Sequence, residues 1–164
     1  MSGPRNKAVF LDRDGVLNRE IGRYLHCLDE FEILPHVAEV LRIFQAKGYR
    51  LVIISNQGGI AKGIVSQETV EAMFKHLDSE LRAQDVLLDA WFYCPHHPDI
   101  SDCRCRKPDC LLFEQAIARF DIDPSLSVMI GDHDRDMEAA AKVGVRGILI
   151  ESNQDLRTIL PLIS

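Results

Sequence analysis

The sequence predicts a three-layer α/β/α sandwich around a central parallel sheet, and three observations predict it. Short apolar runs at residues 8–11, 50–54, 87–93, 126–130 and 147–150 are bounded by turn-forming or polar residues, the pattern of buried strands. Segments with apolar residues at helical spacing separate most of them, and that alternation calls for a parallel sheet covered on both faces. Finally, three of the runs end in polar groups capable of chemistry: Asp12 and Asp14, Ser55 and Asn56, and Asp132 and Asp136. Strands of a parallel sheet end on one edge, where open α/β sheets bind their ligands.

The elements follow in order. The first run stops at Asp12-Arg13-Asp14-Gly15, which is either an Asp-rich turn or a pair of carboxylates presented to a hard cation such as Mg2+. Residues 19–33 lack periodicity and read as a loop over the strand end, the kind of long loop that is often functional. Pro35 opens a helix with Val37, Val40, Leu41 and Phe44 on one face, and Gly48 stops it. The second strand ends in Ser55-Asn56-Gln57-Gly58-Gly59, whose donors suit a phosphate. Ser66 caps a helix striped by Val70, Met73, Phe74, Leu77 and Leu81, which is core material. Another helix carries Phe113, Ala116, Ile117 and Phe120, an alanine-rich one closes at Gly144, and a short helix is expected near residues 154–160.

Composition narrows the function. With 164 residues, 46% hydrophobic and 27% charged, the chain suits one soluble domain, residues 1–164. A formal net charge of −6 argues against nucleic acid or an anionic membrane as partner. Without a long apolar run or leader-like N-terminus, a cytoplasmic monomer acting on a small molecule is the expectation.

Two constellations carry the chemistry. Asp132 completes a carboxylate set with Asp12 and Asp14 for Mg2+. Asp136, four residues on, faces the metal through water, holds a lysine, or is simply a first-turn acid. Lys107 would neutralise phosphate oxygens, and Arg106 would grip a second anionic or hydroxylated part of a substrate. Separately, Cys94, His96, Cys103 and Cys105 supply three thiolates and an imidazole within twelve residues. That set suits a structural, tetrahedral Zn2+ in a loop at about 94–110. His97 and Cys110 are the other candidate ligands there.

These elements together resemble the haloacid dehalogenase (HAD) superfamily of aspartate-nucleophile phosphatases. Asp12-Arg13-Asp14-Gly15-Val16 is similar to its first motif, Ser55 to its second, Lys107 to its third and Gly131-Asp132 through Asp136 to its fourth. The spacing between motifs leaves no room for a large cap. The zinc loop ahead of Lys107 resembles a capless subgroup whose members act on heptose bisphosphate or histidinol phosphate. Asn18, residues 24–26, Asn56-Gln57 and residues 59–63 are similar to the heptose branch. The short gap from His96 to Cys103 is closer to the other. The resemblance implies an aspartyl-phosphate on Asp12, proton transfer by Asp14, and phosphoryl stabilisation by Ser55 and Lys107. Mg2+ would be held by Asp12, the Asp14 carbonyl and Asp132, with Asp136 behind them. Substrate recognition would fall to Arg13, Glu20, Asn56, Gln57, Arg106 and His133.

Overall fold

A computed structural model of the protein describes residues 5–164, so the first four residues of the expected domain lie outside it. Five strands form one parallel sheet: β1 (Lys7–Leu11), β2 (Tyr49–Asn56), β3 (Ala90–Cys94), β4 (Val128–Gly131) and β5 (Arg146–Leu149). Their order is β3-β2-β1-β4-β5. The chain winds outward from β1 in one direction and then returns to β1's other side, so the winding reverses between β1 and β4. In open α/β sheets a crevice opens at that switch point, beyond the carboxyl ends of the strands.

Alternation along the buried strands sorts the core into two layers. Val9, Leu11, Leu51 and Ile53 face one side, with α1 (Val37–Ala46), α2 (Gln67–Arg82) and the 3-10 turn Leu156–Leu162. Ala8, Phe10, Val52 and Ile54 face the other, with α3 (Leu111–Phe120) and α4 (Asp134–Lys142). Phe10 and Phe113 meet at 5.0 Å between ring centroids across that second interface. Full burial of such a ring contributes about 1.5–3 kcal/mol. The expected sandwich is therefore present, with the expected apolar stripes of α1 and α2 buried. Ser66 caps α2, its Oγ accepting from the Thr69 N–H at 3.1 Å.

Three boundaries differ from expectation for local reasons. Pro35 does not open α1: His36 follows with φ of 68°, a left-handed residue, and the helix begins at Val37. The third strand starts at Ala90, not Leu87, because Asp89 forms a clasp. Its carboxylate accepts from the Leu51 N–H at 2.8 Å and from Arg50 at 2.9 Å, while Leu87 stays 54% exposed. Leu126 belongs to a 3-10 turn, Pro124–Leu126, ahead of β4.

Candidate active site

The carboxyl ends of β1, β2 and β4 converge on a cavity of about 450 Å³. Asp12 follows β1 directly, its N–H donating to the Ile130 carbonyl of β4 at 3.1 Å. Side-chain oxygens of Asp12, Asp132 and Asp136 and a ring nitrogen of His133 lie within 4.8 Å of one another. Two glycines make that crowding possible. A Cβ on Gly15 (φ +85°) would sit 2.1 Å from an Asp132 oxygen, and one on Gly131 would sit 2.4 Å from an Asp136 oxygen.

Lys107 arrives from the loop before α3 and is 1% exposed. Its Nζ donates to Asp12 Oδ1 at 3.1 Å and to the Ile54 carbonyl at 2.6 Å. It also pairs with Asp136 Oδ1 at 2.7 Å, a contact that is ionic without hydrogen-bond alignment. Burial opposes a charged lysine, but Asp12 and Asp136 overcome it and hold the Lys107 pKa above its usual value. One lysine does not neutralise three acids. Burial above all, with Asp136, Asp132 and Asp14, outweighs the opposing pull of Lys107 and leaves the Asp12 pKa raised to about 8. This excess of buried carboxylate is what a divalent oxygen-seeking cation relieves. The donor set therefore fits Mg2+.

The Asp14 carboxylate turns away from that cluster. It accepts from Arg13 at 2.8 Å, Asn18 at 2.9 Å and Gln57 at 2.9 Å. Burial would raise its pKa, but the Arg13 guanidinium and these hydrogen bonds outweigh burial and hold it below the usual value. Gln57 Nε2 also donates to Ser55 Oγ at 2.8 Å, tying the β2 end to the β1 loop. Ser55 is fully buried and does not line the cavity. Its oxygen accepts from Gln57, so its hydroxyl proton is left to donate.

Several residues expected to touch substrate also hold protein partners. The Arg13 guanidinium is buried, ion-paired to Asp14 and held between the faces of Phe31 and Phe74, 5.3 and 5.0 Å from their centroids. It supports Asp14 from the wall of the cavity. Asn56 uses both ends of its amide on the Lys107 backbone, accepting from N–H at 2.9 Å and donating to C=O at 3.2 Å. Arg106 does not line the cavity; it donates to the His96 carbonyl at 3.4 Å. Glu20 and His133 do line it. Glu20 is anchored through its backbone to Asn153, and His133 Nδ1 lies 2.9 Å from Asp132 Oδ1. Asp136 accepts from the His133 N–H at 3.1 Å, so it caps α4 as well as pairing with Lys107.

Three residues were missed in the sequence. Ser152 donates to Asp132 Oδ2 at 2.5 Å, and Arg23 and Arg135 line the cavity. Only Arg135 had a local signal, lying three residues after Asp132 at the start of a helix, where such positions share a face.

The second cluster lies in the loop leading to Lys107. Cys94 Sγ is 3.4 Å from His96 Nδ1, 3.6 Å from Cys103 Sγ and 2.8 Å from Cys105 Sγ; His96 Nδ1 is 3.3 Å from Cys105 Sγ. Three sulfurs and one imidazole nitrogen gathered within 4.8 Å are the donor types that tetrahedral Zn2+ takes, so this donor set fits Zn2+ by its chemistry. Even the 2.8 Å contact is far longer than a disulfide bond of about 2.05 Å. His97 and Cys110 lie outside this group of four. His97 Nδ1 accepts from the Asp99 N–H at 3.1 Å, and Cys110 donates to Glu114 at 3.4 Å.

A parallel sheet with its acids at the switch point and a buried lysine among them defines a phosphoryl-transfer site of the HAD type. A HAD-hydrolase-like family model matches residues 104–161, which take in Lys107, Asp132 and Asp136. The chain is 40% identical to the D-glycero-beta-D-manno-heptose-1,7-bisphosphate 7-phosphatase of Haemophilus influenzae, over 96% of this chain and 85% of that one. Among solved structures it superposes on a D,D-heptose 1,7-bisphosphate phosphatase from B. bronchiseptica complexed with magnesium and phosphate. That match has a TM-score of 0.83 and 30% identity, covering 95% of this chain and 86% of that one. A putative HAD-like phosphatase from Mesorhizobium loti gives a TM-score of 0.85 at 26% identity, covering 98% and 85%. The chain belongs to the HAD-like phosphatases, and within them to the family of the heptose-bisphosphate 7-phosphatases.

Proposed function

We propose that this chain is a single-domain, Mg2+-dependent phosphatase that removes the 7-phosphate of D-glycero-D-manno-heptose 1,7-bisphosphate. The observation that carries it is the pairing of a buried nucleophile-grade carboxylate, Asp12, with Lys107 at the sheet's switch point. The 40% identity to a phosphatase of that substrate supplies the substrate.

Asp12 attacks phosphorus through a carboxylate oxygen, forming an aspartyl-phosphate as the bond to the sugar oxygen breaks. Asp14 delivers a proton to that oxygen, then removes one from the water that attacks the intermediate. Its low resting pKa suits the second half. For the first half, the charge of the arriving phosphate raises it, as a neighbouring anion does. Lys107 steadies the transferring oxygens and fixes the Asp12 rotamer. The Ser55 hydroxyl donates to the phosphoryl group once it is seated. Asp12, Asp132 and the Asp14 carbonyl would hold Mg2+, which supplies charge neutralisation at the phosphoryl group when bound. The Cys94–His96–Cys103–Cys105 set would hold Zn2+ as a staple that positions Lys107. Glu20 and His133 face the sugar.

Asp12→Asn tests the proposal. Turnover should fall by at least about 10⁴-fold, because a carboxamide is not a competent nucleophile, while the fold is retained. Ordinary activity in that variant, or a kcat/KM on histidinol phosphate far above that on the heptose bisphosphate, would overturn it.

A further inference from the structure

The loop after β5 touches three parts of the site through two adjacent residues. Ser152 Oγ donates to Asp132 Oδ2 at 2.5 Å. The Asn153 backbone N–H donates to the Gly15 carbonyl, in the turn that carries Asp12 and Asp14, at 2.8 Å. The Asn153 side chain takes the third part. Its Oδ1 accepts from the Glu20 N–H at 2.7 Å, and its Nδ2 donates to the Glu20 carbonyl at 3.0 Å. One amide thus satisfies both backbone groups of one residue, as a neighbouring strand would. Asn153 reaches this position with φ of 67°, a left-handed conformation that asparagine tolerates better than most side chains.

What it holds is a wall of the cavity. Glu20, Gly22, Arg23, Tyr24 and Leu25 all line it, in a stretch with no helix or strand. Among the described residues, the only backbone hydrogen bonds from residues 20–25 to another part of the chain are those of Glu20 with Asn153. A loop tied at one residue loses its place when that tie is cut, and a ligand must then order it at a cost in affinity.

We infer that Asn153 is a positioning residue for substrate recognition: its amide holds the wall of residues 20–25 in register with Asp132 and the turn after β1. The inference rests on the sugar-phosphate reading above and adds the residue that makes this loop a preformed binding surface. Phosphoryl transfer does not pass through the amide, because Asp12, Asp14 and Lys107 keep all their partners without it.

Asn153→Gly is the test, since glycine keeps the left-handed backbone and its N–H while removing the amide. Hydrogen exchange at the Glu20 N–H should speed up at least about 10-fold, as expected when one hydrogen bond is lost. KM for heptose 1,7-bisphosphate should rise about 10-fold, with kcat held within about 2-fold. Hydrolysis of p-nitrophenyl phosphate, which has no sugar, should keep both constants. A loss shared equally by the two substrates would make Asn153 merely structural and overturn the inference. Unchanged constants on both substrates, whatever the exchange, also overturn it. If the wild type hydrolyses p-nitrophenyl phosphate but not the heptose bisphosphate, the substrate reading fails on its own. Inhibition of that hydrolysis then decides the role of Asn153. Weaker inhibition by fructose 6-phosphate in Asn153→Gly, with inhibition by inorganic phosphate unchanged, supports it. Equal inhibition in both proteins, or an equal weakening for both inhibitors, overturns it.

Discussion

The two clusters of this protein are built on opposite plans. The Cys/His cluster draws its four ligands from residues 94–105, one loop, and its members are only partly covered apart from Cys94. The carboxylate cluster draws Asp12 from β1's end, Asp132 and Asp136 from β4's, and Lys107 from a loop 95 residues after Asp12. Its acids are buried around one lysine, so removing that lysine leaves them uncompensated. The local cluster should tolerate loss as a local event, whereas the assembled cluster should respond as a unit. They meet at one covalent point, because Cys105 stands two residues before Lys107.

The largest effect on stability should follow from breaking the assembled cluster at its hub. Lys107→Met leaves Asp12 and Asp136 buried without a cation, and removing one partner of a buried pair typically costs roughly 3–5 kcal/mol. Turnover should drop by about 10²- to 10³-fold, as when one stabilising donor is lost. Denaturant melts and single-turnover kinetics would read both. A variant as stable and as active as the parent would mean that the lysine is not the hub.

Next comes the staple. Cys105→Ser should lower the bound zinc from about one ion per chain and cut kcat about 10- to 100-fold by displacing Lys107, since a shift of about 1 Å can cost that much. Fold elsewhere should persist, seen as unchanged far-ultraviolet circular dichroism. Loss of zinc with full activity would separate the two clusters entirely.

A subtler probe uses protons. Asp12 titrates near 8 in the metal-free site, against about 3.9 for a free aspartate. A raised folded-state value means that ionising Asp12 disfavours the fold, so metal-free stability falls as pH climbs through that window. Mg2+ must displace the proton, so its stabilising effect should grow up to a pH of about 8 and then level. Melting temperatures with and without added Mg2+, taken at about pH 6 and about pH 8, would show it. An identical Mg2+ shift at both would place the titrating proton elsewhere.

The same contrast explains what the sequence could reveal. Spacing alone pointed to the four residues that gather in the Cys/His loop, because a local cluster is written in neighbouring positions. Asp12, Asp132 and Lys107 were legible through strand ends and a family resemblance, since nothing local announces a partner a hundred residues away. Protein partners are what spacing does not reveal. Residue type marks Arg13, Asn56 and Arg106 as substrate candidates, and in the fold each also holds a protein partner: Asp14, the Lys107 backbone and the His96 carbonyl. Polar character marks a residue as capable of binding, but tertiary packing decides what it binds. Arg135 was missed for the converse reason, since an arginine on an exposed-looking helical turn is usually just solvated.

The smallest effect should come from Cys110, which sits close in sequence to the zinc loop and outside its cluster. Its thiol donates to Glu114 on the first turn of α3, four residues on. Burial and that carboxylate both hold its pKa above the usual thiol value, so it remains a neutral donor rather than a thiolate ligand. Serine preserves the donor. Cys110→Ser should therefore leave zinc content and kcat unchanged, and stability within about 0.5 kcal/mol, as for substitutions away from a specific network. Loss of zinc in that variant would extend the local cluster past Lys107. The catalytic lysine would then lie between two ligands of one ion, and the boundary between the clusters would disappear.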